Sequence, residues 1–234
     1  MKRLDALVAQ WQIPAPGAGA LAAFLDLLER DDTAPTTVRD PALAVDAHIA
    51  DALTGLAVPE LAAAATVADL GAGAGVPGLV LAAARPMMRV AAIESTARKC
   101  AFLERAIATM GLGNAEVVCA RAEEWEAGRG ACDAVTARAV APLAVLVEYA
   151  APLLRMGGVL VAYKGACDAP EEADGAAAAE ILGLEPAPVV AVPAFPGADR
   201  RSLHVYLKVG SLPNGYPRRA GIARKRPLRA SATG

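Results

Sequence analysis

The chain is short of several residue types, and each shortage closes off a class of function. Of its 234 residues, nine are aromatic (three Phe, two Trp, four Tyr) and two are His. With so few rings, Trp11 and Trp125 are expected in the core rather than stacked on a base, which is the alternative role for them. The four cysteines, Cys100, Cys119, Cys132 and Cys167, contain no CxxC and sit at no ligand spacing with a histidine. That pattern argues against structural zinc, so no metal is expected. In a reducing compartment the four are expected as buried thiols. No apolar run reaches the roughly 18 residues of a membrane span, and the start, Met1-Lys2-Arg3-Leu4-Asp5, leads into no apolar signal core. A cytoplasmic protein without a membrane partner is expected.

Acidic residues are also missing from one end. The last is Asp199, and nine of the 23 basic residues but none of the 25 acidic ones lie beyond it, although the net charge is only −2. Such a block suits contact with a polyanion. Arg200, Arg201, Arg218, Arg219, Arg224, Lys225 and Arg226 are the expected phosphate contacts, in a segment without helical periodicity that could order on a nucleic-acid backbone. With 55 % hydrophobic and 21 % charged residues, the remainder can bury a sizeable core.

Three regions are expected, forming one globular unit: 1–60, 61–210 and 211–234. The first reads as helices, with Leu4, Leu7, Val8 and Trp11, then Leu21, Phe24, Leu25 and Leu28, at helical spacing. A third helix begins at Asp40-Pro41, an N-cap followed by proline, and places Leu43, Ala47, Ala50 and Leu53 along one side. In the second region, strands at 66–70, 89–94, 116–119, 133–137 and 158–163 alternate with helices at 79–85, 96–111 and 143–154. That alternation predicts an α/β fold with a parallel sheet covered on both faces. A helix is expected over 171–184, and the runs 188–192 and 203–209 should pair antiparallel.

The chemistry is expected at the strand ends. Asp69-Leu70-Gly71-Ala72-Gly73-Ala74-Gly75-Val76-Pro77-Gly78 runs from a strand through a glycine-rich turn into a helix. Glycines there let the backbone approach a ligand closely. Gly73, Gly75 and Gly78 satisfy GxGxxG, a weak pattern shared with dinucleotide-binding oxidoreductases. Asp69 favours a ligand bearing an ammonium group, such as S-adenosylmethionine (SAM), because a carboxylate repels pyrophosphate. Twenty-five positions later Glu94 ends the next strand, where an acid can accept both ribose hydroxyls. Ala122 and Glu123 follow the third strand and would flank an adenine. Arg138 and Lys164, at the ends of the fourth and fifth, would deliver cations into the same crevice, suiting an anionic substrate or the SAM carboxylate. No catalytic Tyr/Lys or His/Asp set of an oxidoreductase stands at a convincing spacing. His204 reads as a structural strand residue, while His48 lies three residues before Asp51 on one helix.

With DLGAGAGVPG, ESTARKCAFL, ARAEEW, DAVTARAVAPL, VAYKG and YPRRAGIARKRPL in place, residues 20–228 resemble the bacterial 16S ribosomal RNA guanine-N7 methyltransferases, also called the glucose-inhibited division protein B family. The resemblance implies a class I SAM-dependent methyltransferase: a Rossmann-like seven-stranded sheet with its last strand antiparallel and an N-terminal helical extension. It implies SAM as donor, S-adenosylhomocysteine as product, and a guanine of the 530 loop of the small ribosomal subunit as acceptor. The family's cofactor contacts fall on Gly71, Val76, Ala122, Glu123 and Arg138, with Glu94 at the ribose and Asp69, Gly73 and Gly75 completing the turn. His48, Asp51 and Lys164 are the candidates beside the reacting base. A monomer is expected. Ala34-Pro35-Thr36 stands where the family usually has Asn-Leu-Thr, and Ala52 where it has Ser.

Overall fold

The computed structural model describes residues 2–192, 195–196 and 201–230; Arg200 lies outside them. Strand β1 (Thr66–Leu70) is buried on both faces beyond its half-buried Thr66 and apolar there apart from Asp69, so it is stable only in the middle of a covered parallel sheet. It pairs in parallel with β2 (Arg89–Glu94) on one side and β4 (Cys132–Arg138) on the other. Beyond them lie β3 (Ala115–Cys119) and β5 (Leu154–Lys164), also parallel. The sheet continues through β8 (Ser202–Lys208), antiparallel to β5, to β6 (Leu184–Pro186), giving the order β3-β2-β1-β4-β5-β8-β6. This seven-strand path carries one addition, the two-residue β7 (Val190–Ala191), which pairs antiparallel with β8 as the late apolar runs predict. Strand β6 was not legible: it is three residues long and ends in proline. Chain order reverses at β1, which opens a crevice at the carboxyl ends of β1 and β4.

On one face of the sheet, α2 (Ala15–Arg30) sinks Leu21, Phe24 and Leu28 into the core that holds Leu79 of α6 (Gly78–Ala84) and Phe102 and Leu103 of α7 (Ala97–Met110). The N-terminal helices, beginning with α1 (Lys2–Gln10), thus share this core with the sheet. On the other face, α8 (Leu143–Ala150) and α9 (Ala169–Leu182) pack together over β4 and β5.

The helix expected after Asp40 starts as read, with the Asp40 Oδ1 accepting the Ala42 N–H at 2.9 Å. It is not continuous. After α3 (Pro41–Ala44), Val45–Ala50 is a π-helical segment, then come α4 (Asp51–Leu53), a 3₁₀ turn at Thr54–Ala57 and α5 (Pro59–Ala62). Its buried side matches the expectation only in part: Ala50 and Leu53 are buried as expected, but Leu43 is 63 % exposed whereas Val45 and Ile49 are buried. Alanine-rich sequence offers two competing apolar rows, and the row with the larger side chains gains more by burial.

The cysteines correct a second expectation. Cys100, on the first turn of α7, and Cys119, at the end of the edge strand β3, are paired as a disulfide with Cα atoms 5.8 Å apart. Cys119 pairs in register with Glu94, the residue that leads into α7, so the sheet itself brings the two together. Cys132 is a buried free thiol and Cys167 a half-buried one. Among the described residues no helix is long and apolar enough to cross a membrane.

Candidate functional site

The glycine-rich turn leaves β1 with Gly71, Gly73 and Gly75 at φ of +62°, +55° and +91°, in the left-handed region that disfavours other residues. A Cβ on Gly71 would stand 2.8 Å from Val140 Cγ2, whereas one on Gly73 would meet only the Gly71 carbonyl, at 3.6 Å. The Gly73 backbone therefore faces open space. Glu94 closes that space from β2: its Oε2 accepts the Gly73 N–H at 3.3 Å and its Oε1 the Thr96 N–H at 2.9 Å. Lys99 lies 3.7 Å from the same carboxylate.

A cavity of roughly 360 Å³ opens here, lined by Gly71, Glu94, Ala122 and Glu123. Ala139 and Tyr149, which the sequence did not single out, also line it, and so does Arg224, which was expected at phosphates. Ala139 adopts φ +57°, a strained conformation for alanine, directly after Arg138. The volume lies in the range of small-molecule cofactor sites. A carboxylate at the strand end and a backbone stripped of Cβ atoms fit the ribose and amino-acid ends of SAM.

Asp69 does not line this cavity. It is fully buried, its Oδ2 accepting the Gly78 N–H and its Oδ1 the Thr136 hydroxyl, both at 2.9 Å. In the structure it holds the turn against β4, whereas it was expected to accept from a ligand ammonium, directly or through water. Burial raises its pKa to about 6, against the counter-pull of those two hydrogen bonds and Arg138. A carboxyl whose folded pKa is raised contributes stability below its unfolded pKa and loses it as pH rises through the folded value. That places the loss between pH 3.8 and about 6. Asn can accept from Gly78 and donate to the rotatable Thr136 hydroxyl, so the Asp69→Asn protein should lose this fall. The difference between the two chains in urea midpoints across pH 4 to 7 measures it; parallel curves would refute the assignment.

Arg138 also turns away from the cavity. From the end of β4 it donates through Nη1 to the Ala47 carbonyl and to Asp51 Oδ2, each at 2.8 Å. Its Nη2 is 3.3 Å from His48 Nδ1, and Arg201 Nε lies 3.4 Å from Asp51 Oδ1. The π segment brings both His48 and Asp51 to this point. With Val38 O 3.1 Å from His48 Nε2, the ring is consistent with a neutral Nε2–H tautomer that accepts from Arg138. Burial, then the Arg138 charge, lowers its pKa. Thr36, in the segment that departs from the family pattern, reaches His48 Nε2 at 3.0 Å. Lys164 is not part of this cluster; it pairs with Glu171 at 2.6 Å, beside the start of α8.

The basic end is not a free arm. Arg218 makes a two-pronged ion pair with Glu148, which is 2 % exposed on α8. Gly221 donates its N–H to Glu123 Oε1 at 2.9 Å, and the short α10 (Ile222–Lys225) buries Ala223 against α8. Arg224 donates to the Val140 carbonyl at 2.8 Å. Of the expected phosphate contacts that are described, Arg219, Lys225 and Arg226 are exposed and make no ion pair among the described residues, while Arg201, Arg218 and Arg224 have protein partners. The single acid in the apolar helix Leu143–Ala150 was the signal that could have identified the partner of Arg218. Cys167 and Glu172, at the start of α9, and His204, on β8, bring one potential metal-ligating atom each within 4.8 Å of one another, a grouping that sequence spacing does not reveal.

Residues 20–202 match the family model described as rRNA small subunit methyltransferase G. A protein named ribosomal RNA small subunit methyltransferase G from Symbiobacterium thermophilum is 39 % identical over 91 % of this chain and 90 % of its own length. Its namesake from Rubrobacter xylanophilus is 45 % identical over 62 % of this chain. That alignment spans 58 % of the Rubrobacter protein, and matches to other relatives likewise span about three fifths of their lengths. Among solved structures, a SAM-dependent methyltransferase from Aquifex aeolicus has the same fold, with a TM-score of 0.51 at 16 % identity over 67 % of this chain and 89 % of that one.

Proposed function

The chain belongs to the rRNA small subunit methyltransferase G family, and from that premise we propose that it transfers the methyl group of SAM to N7 of a guanine in the 530 loop of 16S ribosomal RNA. The observation that carries the cofactor half is the cavity at the β1/β4 switch point, where Glu94 and the left-handed glycines meet the Ala122–Glu123 turn. When bound, SAM supplies a methyl group on a sulfonium, and its transfer to N7 removes no proton, because N7 carries a lone pair and no hydrogen.

Glu94 accepts the ribose hydroxyls. Gly71, Gly73, Gly75 and Val76 present backbone to the amino-acid end, with Asp69 fixing the turn behind them. Ala122 and Glu123 border the adenine. Arg138 sets the floor between the cavity and the N-terminal helices. No general base is needed, so His48, Asp51 and Lys164 act as positioning groups. The rate comes mainly from holding acceptor and donor in line. Arg219, Lys225 and Arg226 are the cations best placed to meet phosphates, and the strand ends select the base. The protein acts as a cytoplasmic monomer on the small subunit.

Incubation with radiolabelled SAM and small subunits lacking this methylation should yield labelled 7-methylguanosine at a single site. Glu94→Gln should abolish the label together with SAM binding. SAM binding without label on ribosomal RNA would overturn the acceptor and point to a small-molecule one.

A further inference from the structure

We propose that the basic C-terminal segment forms a wall of the SAM pocket, with Arg224 as a cofactor contact, so that one strand of chain serves both donor and RNA. The proposal rests on the pocket assigned above. Among the described residues, Arg224 is the one from beyond position 149 that lines the cavity, where it stands with Tyr149, Val140 and Glu123. Its guanidinium is oriented by donation to the Val140 carbonyl at 2.8 Å. A planar fork fixed in this way keeps further N–H groups and a flat face for a purine, which a lysine could not offer. Glu123, the residue assigned to the adenine, is itself held by the segment through the Gly221 N–H.

The placement is firm because the segment is anchored on both sides of Arg224. Upstream, Arg218 is paired with the buried Glu148 and also donates to the Arg226 carbonyl at 2.9 Å. At the centre Ala223 is buried, and downstream the Ala230 N–H donates to Asp174 Oδ1 at 2.9 Å. The segment therefore has two faces. Ala223 is buried, Arg218 is half-buried, and Arg224, although exposed overall, reaches the Val140 carbonyl at the cavity, while Arg219, Lys225 and Arg226 are exposed and make no ion pair among the described residues. Phosphates gripped by the outer face would hold the inner face over the donor, coupling RNA binding to donor retention.

Deleting the segment removes both faces at once, so point variants are needed. Calorimetry with S-adenosylhomocysteine, the stable product, reads the inner face without turnover. Arg224→Ala should weaken binding at least tenfold, Arg224→Lys should recover only part of it, and both should keep the parent's melting temperature within a few degrees. The triple variant Arg219→Ala, Lys225→Ala, Arg226→Ala should bind S-adenosylhomocysteine as the parent does. It should lose affinity for the small subunit, and its salt slope should fall by about two to three, at roughly 0.7–0.9 per phosphate contact. If Arg224→Ala binds like the parent while Glu94→Gln does not, the wall is wrong and the pocket stands. If Glu94→Gln also binds like the parent, the pocket assignment itself fails. If the triple variant loses S-adenosylhomocysteine affinity, the division into two faces is overturned.

Discussion

Arg138→Ala is expected to lower the melting temperature by about 6–12 °C, roughly 3 kcal/mol at 2–4 °C per kcal/mol for a chain of this size, and to abolish methyl transfer. The reason lies in what it would leave behind. Asp51 is 1 % exposed and Arg138 is its nearer cation, at 2.8 Å against 3.4 Å for Arg201. The Ala47 carbonyl would lose its partner too. An ionised carboxylate stranded in the interior costs far more than the pair contributes when intact. The double variant Arg138→Met, Asp51→Leu removes the stranded charge, and Arg201, already about one-third exposed, can turn to solvent. It should therefore recover most of the melting temperature. It should not recover methyl transfer, because the end of β4 would no longer be tied to the N-terminal helices that carry His48. Equal melting temperatures for single and double variants would show that Asp51 is not charged there. Recovery of activity in the double variant would show that Arg138 matters for folding alone.

These contacts also show where sequence reading reached and where it stopped. The strand–glycine-turn–helix unit was legible because each part has its own local cause: β-branched and apolar residues in a short run, then glycines at positions that need positive φ. Glu94, Ala122 and Glu123 follow from it, since a parallel sheet places successive strand ends side by side. What Asp69 faces could not be read, because a carboxylate at a strand end can turn either to a ligand or to the amide of Gly78. Only the packing of β4, through Thr136, decides between them. Arg138 fails in the same way. Its partners, Ala47 and Asp51, lie some 90 positions upstream on a helix whose π segment shifts the register. In the basic segment, composition reported nine cations but not which of them were already spent. Lys208 is the extreme case, buried and donating to the Leu182 carbonyl. Charge is a property of the sequence, whereas its availability is a property of the packing.

Gly78→Val should be the most damaging single change in the turn. A Cβ there would stand 2.8 Å from both Asp69 Cβ and Asp69 Oδ2, closer than such atoms approach. Asp69 cannot retreat: it is on the central strand, fully buried, and bound on its other oxygen by Thr136. Either the loop moves outward or the Gly78 N–H separates from the carboxylate. The first removes the backbone surface offered to the donor, and the second leaves a buried acceptor short of a partner. Overpacking costs about 1–3 kcal/mol and an unmade buried hydrogen bond about as much again. The expected result is a fall of roughly 8–15 °C in melting temperature, with S-adenosylhomocysteine binding below detection by calorimetry. Gly113→Ala is the matched control, since a Cβ at Gly113 meets no heavy atom within 4 Å, and it should leave both measurements unchanged. Because Asp69 is what the new side chain strikes, Gly78→Val combined with Asp69→Ala should be less destabilised than Gly78→Val alone. Additive losses in that pair would mean that the valine is accommodated elsewhere and that Asp69 is not what fixes the turn.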